Sequence, residues 1–305
     1  MCPQQPSSYA EVASGDVVVV TINYRLGIFG AFGHPGLDGS GTFGLQDQQA
    51  ALGWVRRNAA AFGGDPGNVT LFGQSYGALS TTAHLVAPAS RGLFQRAIIQ
   101  SGFGLMDLPA GAVFPGVPAV EWFGWTSTAE VAALGASVAA ELGCADQVQA
   151  RYPLAAYPSP SLAWATLLTD RMWARSTFAQ HRLLARRVPV YAYEFADRQA
   201  PMYLPFPPEF PPGAFHAAEV PYVFPDSEFL ATSSPAQRRL SEQLIGYWTR
   251  FAHTGDPNRA GLPRWWHVDR ARAVPFVQAL APGADGIGPV DYAARHQLDF
   301  WSRLP

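Results

Sequence analysis

Val69-Thr70-Leu71-Phe72-Gly73-Gln74-Ser75-Tyr76-Gly77-Ala78-Leu79-Ser80 is the stretch that decides the architecture. Its first four residues form a short apolar, partly β-branched run, the pattern of a strand, and Tyr76 to Val86, rich in Ala and Leu, reads as a helix. Between them Gly73-Gln74-Ser75-Tyr76-Gly77 fits the pattern G-x-S-x-G, with a strand on one side and a helix on the other. In that setting the serine sits on a sharp turn that lifts its hydroxyl clear of the sheet's C-terminal edge. Gly73 and Gly77 are expected because side chains there would collide with neighbouring backbone. The helix N-terminus behind Ser75 places partial positive charge where an oxyanion would form.

Working outward, the same alternation continues. Gly63-Gly64-Asp65-Pro66-Gly67-Asn68 is a turn. Before it, Leu45, Leu52, Val55, Ala59 and Phe62 fall at helical spacing, and a Gly-rich loop runs from Gly27 to Gly41. Val17-Val18-Val19-Val20-Thr21-Ile22 predicts a strand buried on both faces, and Arg96 to Gln100 predicts another. Strand, helix, strand, helix, strand at these lengths gives a parallel α/β sheet. Beyond Ser101 the pattern loosens. Residues 103–127 look irregular, Thr128 to Leu142 and Ala174 to Arg187 helical, and Val190 to Phe195 a strand. The proline-rich stretch Pro201 to Pro212 is an extended loop, and Gln237 to His253 an amphipathic helix stopped by Thr254-Gly255-Asp256-Pro257. With no repeat and no clear linker, residues 1–305 read as one domain.

Composition bounds the function. The 305 residues are 48% hydrophobic and 14% charged, which excludes a disordered chain and gives enough apolar surface for a sizeable core. A net charge of −2 removes the electrostatic case for nucleic acid as a partner. All 21 basic residues are arginine, a coding bias rather than a functional signal. Cys2 and Cys144 form no metal-ligand pattern, so no structural zinc is expected; a bridge between them stays open. No apolar run reaches membrane-spanning length, and the first residues lack the basic and apolar regions of a signal peptide.

A serine hydroxyl is a poor nucleophile until a base takes its proton, and in this strand–turn–helix setting the partners follow in the order serine, acid, histidine. His84 lies on the helix that follows the serine. His181 falls inside a predicted helix, His253 at a helix end suits a capping role, His267 follows two tryptophans, and His296 is near the C-terminus. His216 lies in a loop after the strand ending at Phe195, where a catalytic histidine would be presented. The residues alone leave His216 open between a base and a structural role.

The chain resembles the type-B carboxylesterase and cholinesterase family of α/β-hydrolases. The likeness runs through Asn23-Tyr24-Arg25-Leu26-Gly27, Phe43-Gly44-Leu45-Gln46-Asp47-Gln48 and Ala51-Leu52-x-Trp54-Val55-Arg56, then through the long block from Phe62 to Ser75. It resumes at Gln100-Ser101-Gly102, at Gly213-Ala214-Phe215-His216-Ala217-Ala218-Glu219 with Val223-Phe224, and at Phe251-Ala252-x-Thr254-Gly255-Asp256-Pro257-Asn258. The resemblance implies an α/β-hydrolase fold, a mostly parallel sheet with helices on both faces. It further implies Ser75 as nucleophile, His216 as general base, the Tyr76 backbone N–H as an oxyanion donor, a small-molecule ester as substrate, and no metal or organic cofactor. Where the family usually has alanine, Tyr76 follows the serine, and its ring must find space beside the acyl pocket. Trp122, Phe123, Trp125 and Tyr203 to Phe210 are candidates to line that pocket.

Two family segments are missing. Before Val17 the family has a strand ending in a His-Gly-Gly-Gly type loop that supplies two oxyanion N–H groups; losing one such donor costs about 10²–10³ in kcat. After Cys144 it has a strand and a turn bearing the acid of the triad, and losing that acid costs about 10⁴ in a serine protease. Asp107, Glu121, Glu130, Glu141, Asp146, Asp170, Glu194 and Asp197 are the replacement candidates. Asp170 matches a Thr-Asp position of the family that is not the triad acid, and Asp197, just after a strand, is the best local choice. Both missing strands would lie inside the sheet, so unpaired backbone is expected there. The N-terminus is expected to be shortened, which leaves the compartment open. The alternatives to an esterase are a silent cholinesterase-like binding protein and a fragment.

Overall fold

The computed structural model describes residues 15–102, 104, 143–202, 211, 213–269, 271 and 275–304. Strands β1 (Thr70–Gln74) and β2 (Arg96–Gln100) pair in parallel, in register from Thr70 opposite Arg96 to Gln74 opposite Gln100. The helix Tyr76–Val86 and a 3₁₀ turn at Pro88–Ser90 make the crossover between them. A second ladder holds β3 (Tyr193–Phe195), β4 (Val277–Leu280) and β5 (Ile287–Val290) in that order, β3 parallel to β4 and β4 antiparallel to β5. Upstream of β1, the helix Phe43–Asn58 continues into a 3₁₀ turn, Ala59–Phe62, as the spacing from Leu45 to Phe62 predicts.

Val17 to Ile22 departs from expectation. The segment is extended but has no ladder partner among the described residues. Val17 and Val19 pack on the core while Val18, Val20 and Ile22 face solvent, so the run is buried on one face instead of two. β-Branched residues favour extended backbone, but a ladder also needs a neighbour about 4.8 Å away. In its place is a cleft of about 1330 Å³, walled by Val17 to Ile22 on one side and by Thr70 to Gln74 on the other. β1 is accordingly only half-buried along its length. The predicted strand Val190 to Phe195 is also shortened, to three residues, although the Ala192 carbonyl accepts from Gln278 N at 3.0 Å just before it.

The largest core cluster gathers on the helix Pro235–Thr254, the amphipathic segment of the sequence. Ser234 and Gln237 form a capping box, Pro235 opens the first turn, and Gly255 closes the helix with φ +77°. Leu240, Leu244, Tyr247 and Trp248 then fall on one face, against Tyr222, Phe229 and Trp265. The helix predicted from Ala174 is present as Arg175–Leu184, and a π-helical turn that was not predicted, Thr169–Ala174, runs directly into it. Cys144 is a buried free thiol, and Cys2 lies outside the described residues. So do the predicted helix over residues 128–142, the irregular stretch 103–127 apart from Gly104, and most of the proline-rich loop. Among the described residues no helix is long and apolar enough to cross a membrane.

A buried polar clasp fixes the C-terminal end. His296 Nδ1 meets Asp170 Oδ1 at 2.7 Å and its Nε2 meets Glu194 Oε1 at 3.0 Å. Tyr152 Oη donates to Asp170 Oδ2 at 2.8 Å and accepts from Trp301 Nε1 at 2.8 Å. Burial alone would push the His296 pKa down; the hydrogen bonds and charges of Asp170 and Glu194 outweigh it and bring the pKa up to about 9. An unfolded histidine titrates near about 6.5. The clasp therefore stabilises the fold in full below about pH 6.5, and that contribution is lost as pH rises through about 9. The melting temperature should fall across that window, and His296→Gln should flatten the slope in a pH series of thermal melts. His296→Ala, which leaves Asp170 buried without its cation, should cost about 3–5 kcal/mol in urea unfolding.

Candidate active site

Ser75 stands where β1 ends and the helix Tyr76–Val86 begins, with φ 56° and ψ −118°. That is a strained conformation for a residue with a side chain, of order 1–3 kcal/mol, and it persists because neighbours over-determine it. The Ser75 N–H donates to the Gln100 carbonyl at 2.9 Å, one step beyond the β1–β2 ladder. The Ser75 carbonyl accepts from Ala78 N at 2.9 Å and Leu79 N at 3.0 Å, which starts the helix at once. The Tyr76 N–H makes no backbone hydrogen bond among the described residues and stays available at the helix N-terminus. The Tyr76 ring is 58% exposed, so it finds its space in solvent.

The two glycines divide. A Cβ on Gly73 would come within 2.3 Å of the Gly77 backbone, which has no room to yield. A Cβ on Gly77 would meet nothing within 4 Å among the described residues, because Gly77 borders the cleft beside β1. The collision expected at both positions therefore exists at Gly73 alone.

His216 reaches the elbow from the loop after β3. Gln74 Nε2 lies 3.4 Å from His216 Nε2, and the Trp173 ring packs against the imidazole with centroids 4.8 Å apart. His216 is an exposed residue, yet desolvation by the surrounding protein pushes its pKa below the ordinary histidine value. Ala217 follows with φ 72°, and Glu219, one turn later, is buried with its carboxylate on Gln100 Nε2 at 3.4 Å. Burial pushes the Glu219 pKa up against hydrogen bonds from its own backbone, Gln100 and Ser101. Glu219 thus ties the histidine loop to the end of β2, beside the carbonyl that holds Ser75.

Among the described residues, His216 makes no hydrogen bond to Ser75 Oγ or to a carboxylate. Asp197 is committed elsewhere: Tyr222 Oη and Gln237 Nε2 donate to one of its oxygens and Gln199 N to the other. Asp170 and Glu194 serve His296 in the clasp, and Asp146 is exposed on the helix Ala145–Arg151. Asp107, Glu121, Glu130 and Glu141 lie outside the described residues, as do Trp122, Phe123, Trp125 and Tyr203 to Phe210. Two contributors were invisible in the sequence reading. Trp173 sat just before the predicted helix in a stretch given no assignment, and it lies on the π turn Thr169–Ala174. Glu219 lies in the matched block around His216, and its spacing three residues on could have marked it as the loop's anchor.

A serine held at positive φ between a strand and a helix, with an imidazole delivered by a later loop, defines the α/β-hydrolase class. The chain belongs to the carboxylesterase family, whose model matches residues 5–111 and 143–285. It is 27% identical to pyrethroid hydrolase Ces2e of Rattus norvegicus over an alignment covering 83% of this chain and 60% of that protein. Para-nitrobenzyl esterase of Bacillus subtilis (strain 168) is 55% identical over 92 residues, 30% of this chain and 19% of that protein. Among solved structures, a thermophilic PNB esterase superposes with a TM-score of 0.69 at 25% identity, over 96% of this chain and 75% of its own. The chain spans about half to three fifths of the length of the curated relatives that match most of it.

Gly73→Ala should therefore disrupt the elbow and lower stability by about 1–3 kcal/mol or more, whereas Gly77→Ala should leave stability within about 0.5 kcal/mol, measured by urea unfolding of both variants.

Proposed function

We propose that this chain is a serine carboxylic-ester hydrolase that works through an acyl-enzyme on Ser75, with His216 as general base. The observation that carries the reading is the Ser75 backbone, held at φ 56° by the Gln100 carbonyl, with His216 against the adjacent Gln74. Ser75 Oγ attacks the ester carbonyl while His216 takes its proton. The Tyr76 N–H donates to the oxygen that gains negative charge, supported by the helix N-terminus. His216 then gives the proton to the leaving alcohol, and in the second half it activates the water that releases the acid. Family membership and the esterase names of the relatives support ester chemistry over other hydrolytic substrates.

The test is labelling of purified protein with a fluorophosphonate, adduct mapping by peptide mass spectrometry, and turnover of a short-chain p-nitrophenyl ester. An adduct on Ser75, lost on heating and in Ser75→Ala, is the expected result. His216→Ala should slow labelling by about 10²–10⁴-fold. Only neutral imidazole accepts the proton, and desolvation lowers the His216 pKa, so the labelling rate should rise with pH and reach half its plateau below about pH 6.5. A second reading, a silent binding relative, is favoured by the lack of a carboxylate hydrogen bond to His216 among the described residues. A cooperative melt with no labelling at Ser75 would select it, and no cooperative melt would select a fragment.

A further inference from the structure

We propose that Trp173 is a positioning residue for His216, and that the Asp170–His296 clasp at the other end of the same π turn holds Trp173 in place. The inference rests on His216 being the general base, but its geometry is independent of turnover. Thr169–Ala174 is a six-residue π-helical turn, a rare form that is frequent at functional sites. Asp170 and Trp173, three residues apart on it, do different things. Asp170 is 2% exposed and bonded to both Tyr152 and His296. The Trp173 ring packs on His216, 4.8 Å between centroids and tilted by 49°.

Further ties make the turn stiff. The Arg171 guanidinium lies over the Trp301 ring, 5.7 Å from its centroid, joining the turn to the C-terminal helix Leu298–Trp301. In the helix that follows, Thr177 Oγ1 donates to the Gly102 carbonyl at 3.0 Å, two residues past the Gln100 carbonyl that holds Ser75. Gln180 Nε2 donates to Thr82 Oγ1 at 3.2 Å, on the helix that begins at the elbow. One continuous segment is thus fixed at the clasp behind, at the elbow's helix ahead, and carries Trp173 between them. With no carboxylate bonded to His216 among the described residues, the ring wall at Trp173 is what limits the imidazole's rotation on that side.

The experiment reads the His216 imidazole directly. Protein labelled at histidine Cε1 would be titrated by NMR, with the His216 signal assigned by its loss in His216→Asn. Desolvation is the cause of the His216 shift, with no charged neighbour contributing, so its titration reports packing. In Trp173→Ala the midpoint should move up toward about 6.5, and Trp173→Phe should restore it. Fluorophosphonate labelling should slow by about tenfold in Trp173→Ala and recover in Trp173→Phe. Asp170→Asn or His296→Gln, whichever keeps a cooperative melt, should reproduce the upward shift from a distance. An unchanged His216 titration in Trp173→Ala would overturn the positioning role. An unchanged titration in the folded clasp variant would overturn the role of the clasp. A protein that never labels still gives the titration, so failure of the esterase reading and failure of this one are told apart.

Discussion

The Ser75 N–H to Gln100 carbonyl hydrogen bond is the contact on which the site depends. It continues the β1–β2 ladder one residue past Gln74, and so it fixes Ser75 to the sheet while the chain must already turn into a helix. Only positive φ satisfies both demands, and the tight return brings Gly77 within touching distance of Gly73. The histidine loop is secured to the same strand end through Glu219 and Gln100, whose side chain also accepts from Trp248 Nε1 at 3.2 Å. Ser75 and His216 are therefore referred to a single point of the fold, and the core helix Pro235–Thr254 buttresses that point from behind.

Several residues that made the family recognisable hold distant parts of the chain together. Arg25 grips Asp47 with Nε and Nη2, at 2.8 and 2.7 Å, and its backbone N–H adds a third bond at 2.9 Å. Gln48 reaches His84 at 2.7 Å, and the other nitrogen of that buried ring meets Ser90 at 2.8 Å. Asn68 pairs with Arg96, which also donates to the Ala252 carbonyl at 3.1 Å and so joins the start of β2 to the long C-terminal helix. Each motif block pins two elements distant in sequence. A polar pair that must be satisfied when buried or aligned leaves little choice of residue, which is why these blocks stand out.

Local chemistry was legible where the chain satisfies itself. The helices after Ser75 and over Pro235–Thr254 follow from spacing and caps, and β1 and β2 were found within a residue or two of their ends. What could not be read were pairings between distant segments. Val17 to Ile22 has the residues of a strand. Its lack of a ladder partner among the described residues matches the unpaired backbone expected where a family strand is missing, while its burial on one face alone was not expected. Asp170 and His296 lie 126 residues apart and carry no local mark of their partnership. Four-residue strands such as β4 and β5 are too short to show a period, and a π turn looks like helix in any spacing argument. The structure brings His216 to the Gln74 side of the turn that carries Ser75, whereas Asp197, chosen for its place after a strand, is bonded to Tyr222 and Gln237.

The cleft between Val17 to Ile22 and β1 has an electrostatic consequence for the elbow. Gly77, in the first turn of the helix behind Ser75, borders that space, and exposed valines on its far wall mark it as open to water. A helix terminus favours an anion by its partial charge, and the effect weakens as the surrounding medium becomes more polarisable. Solvent beside the first turn raises the local dielectric where a packed strand would keep it low.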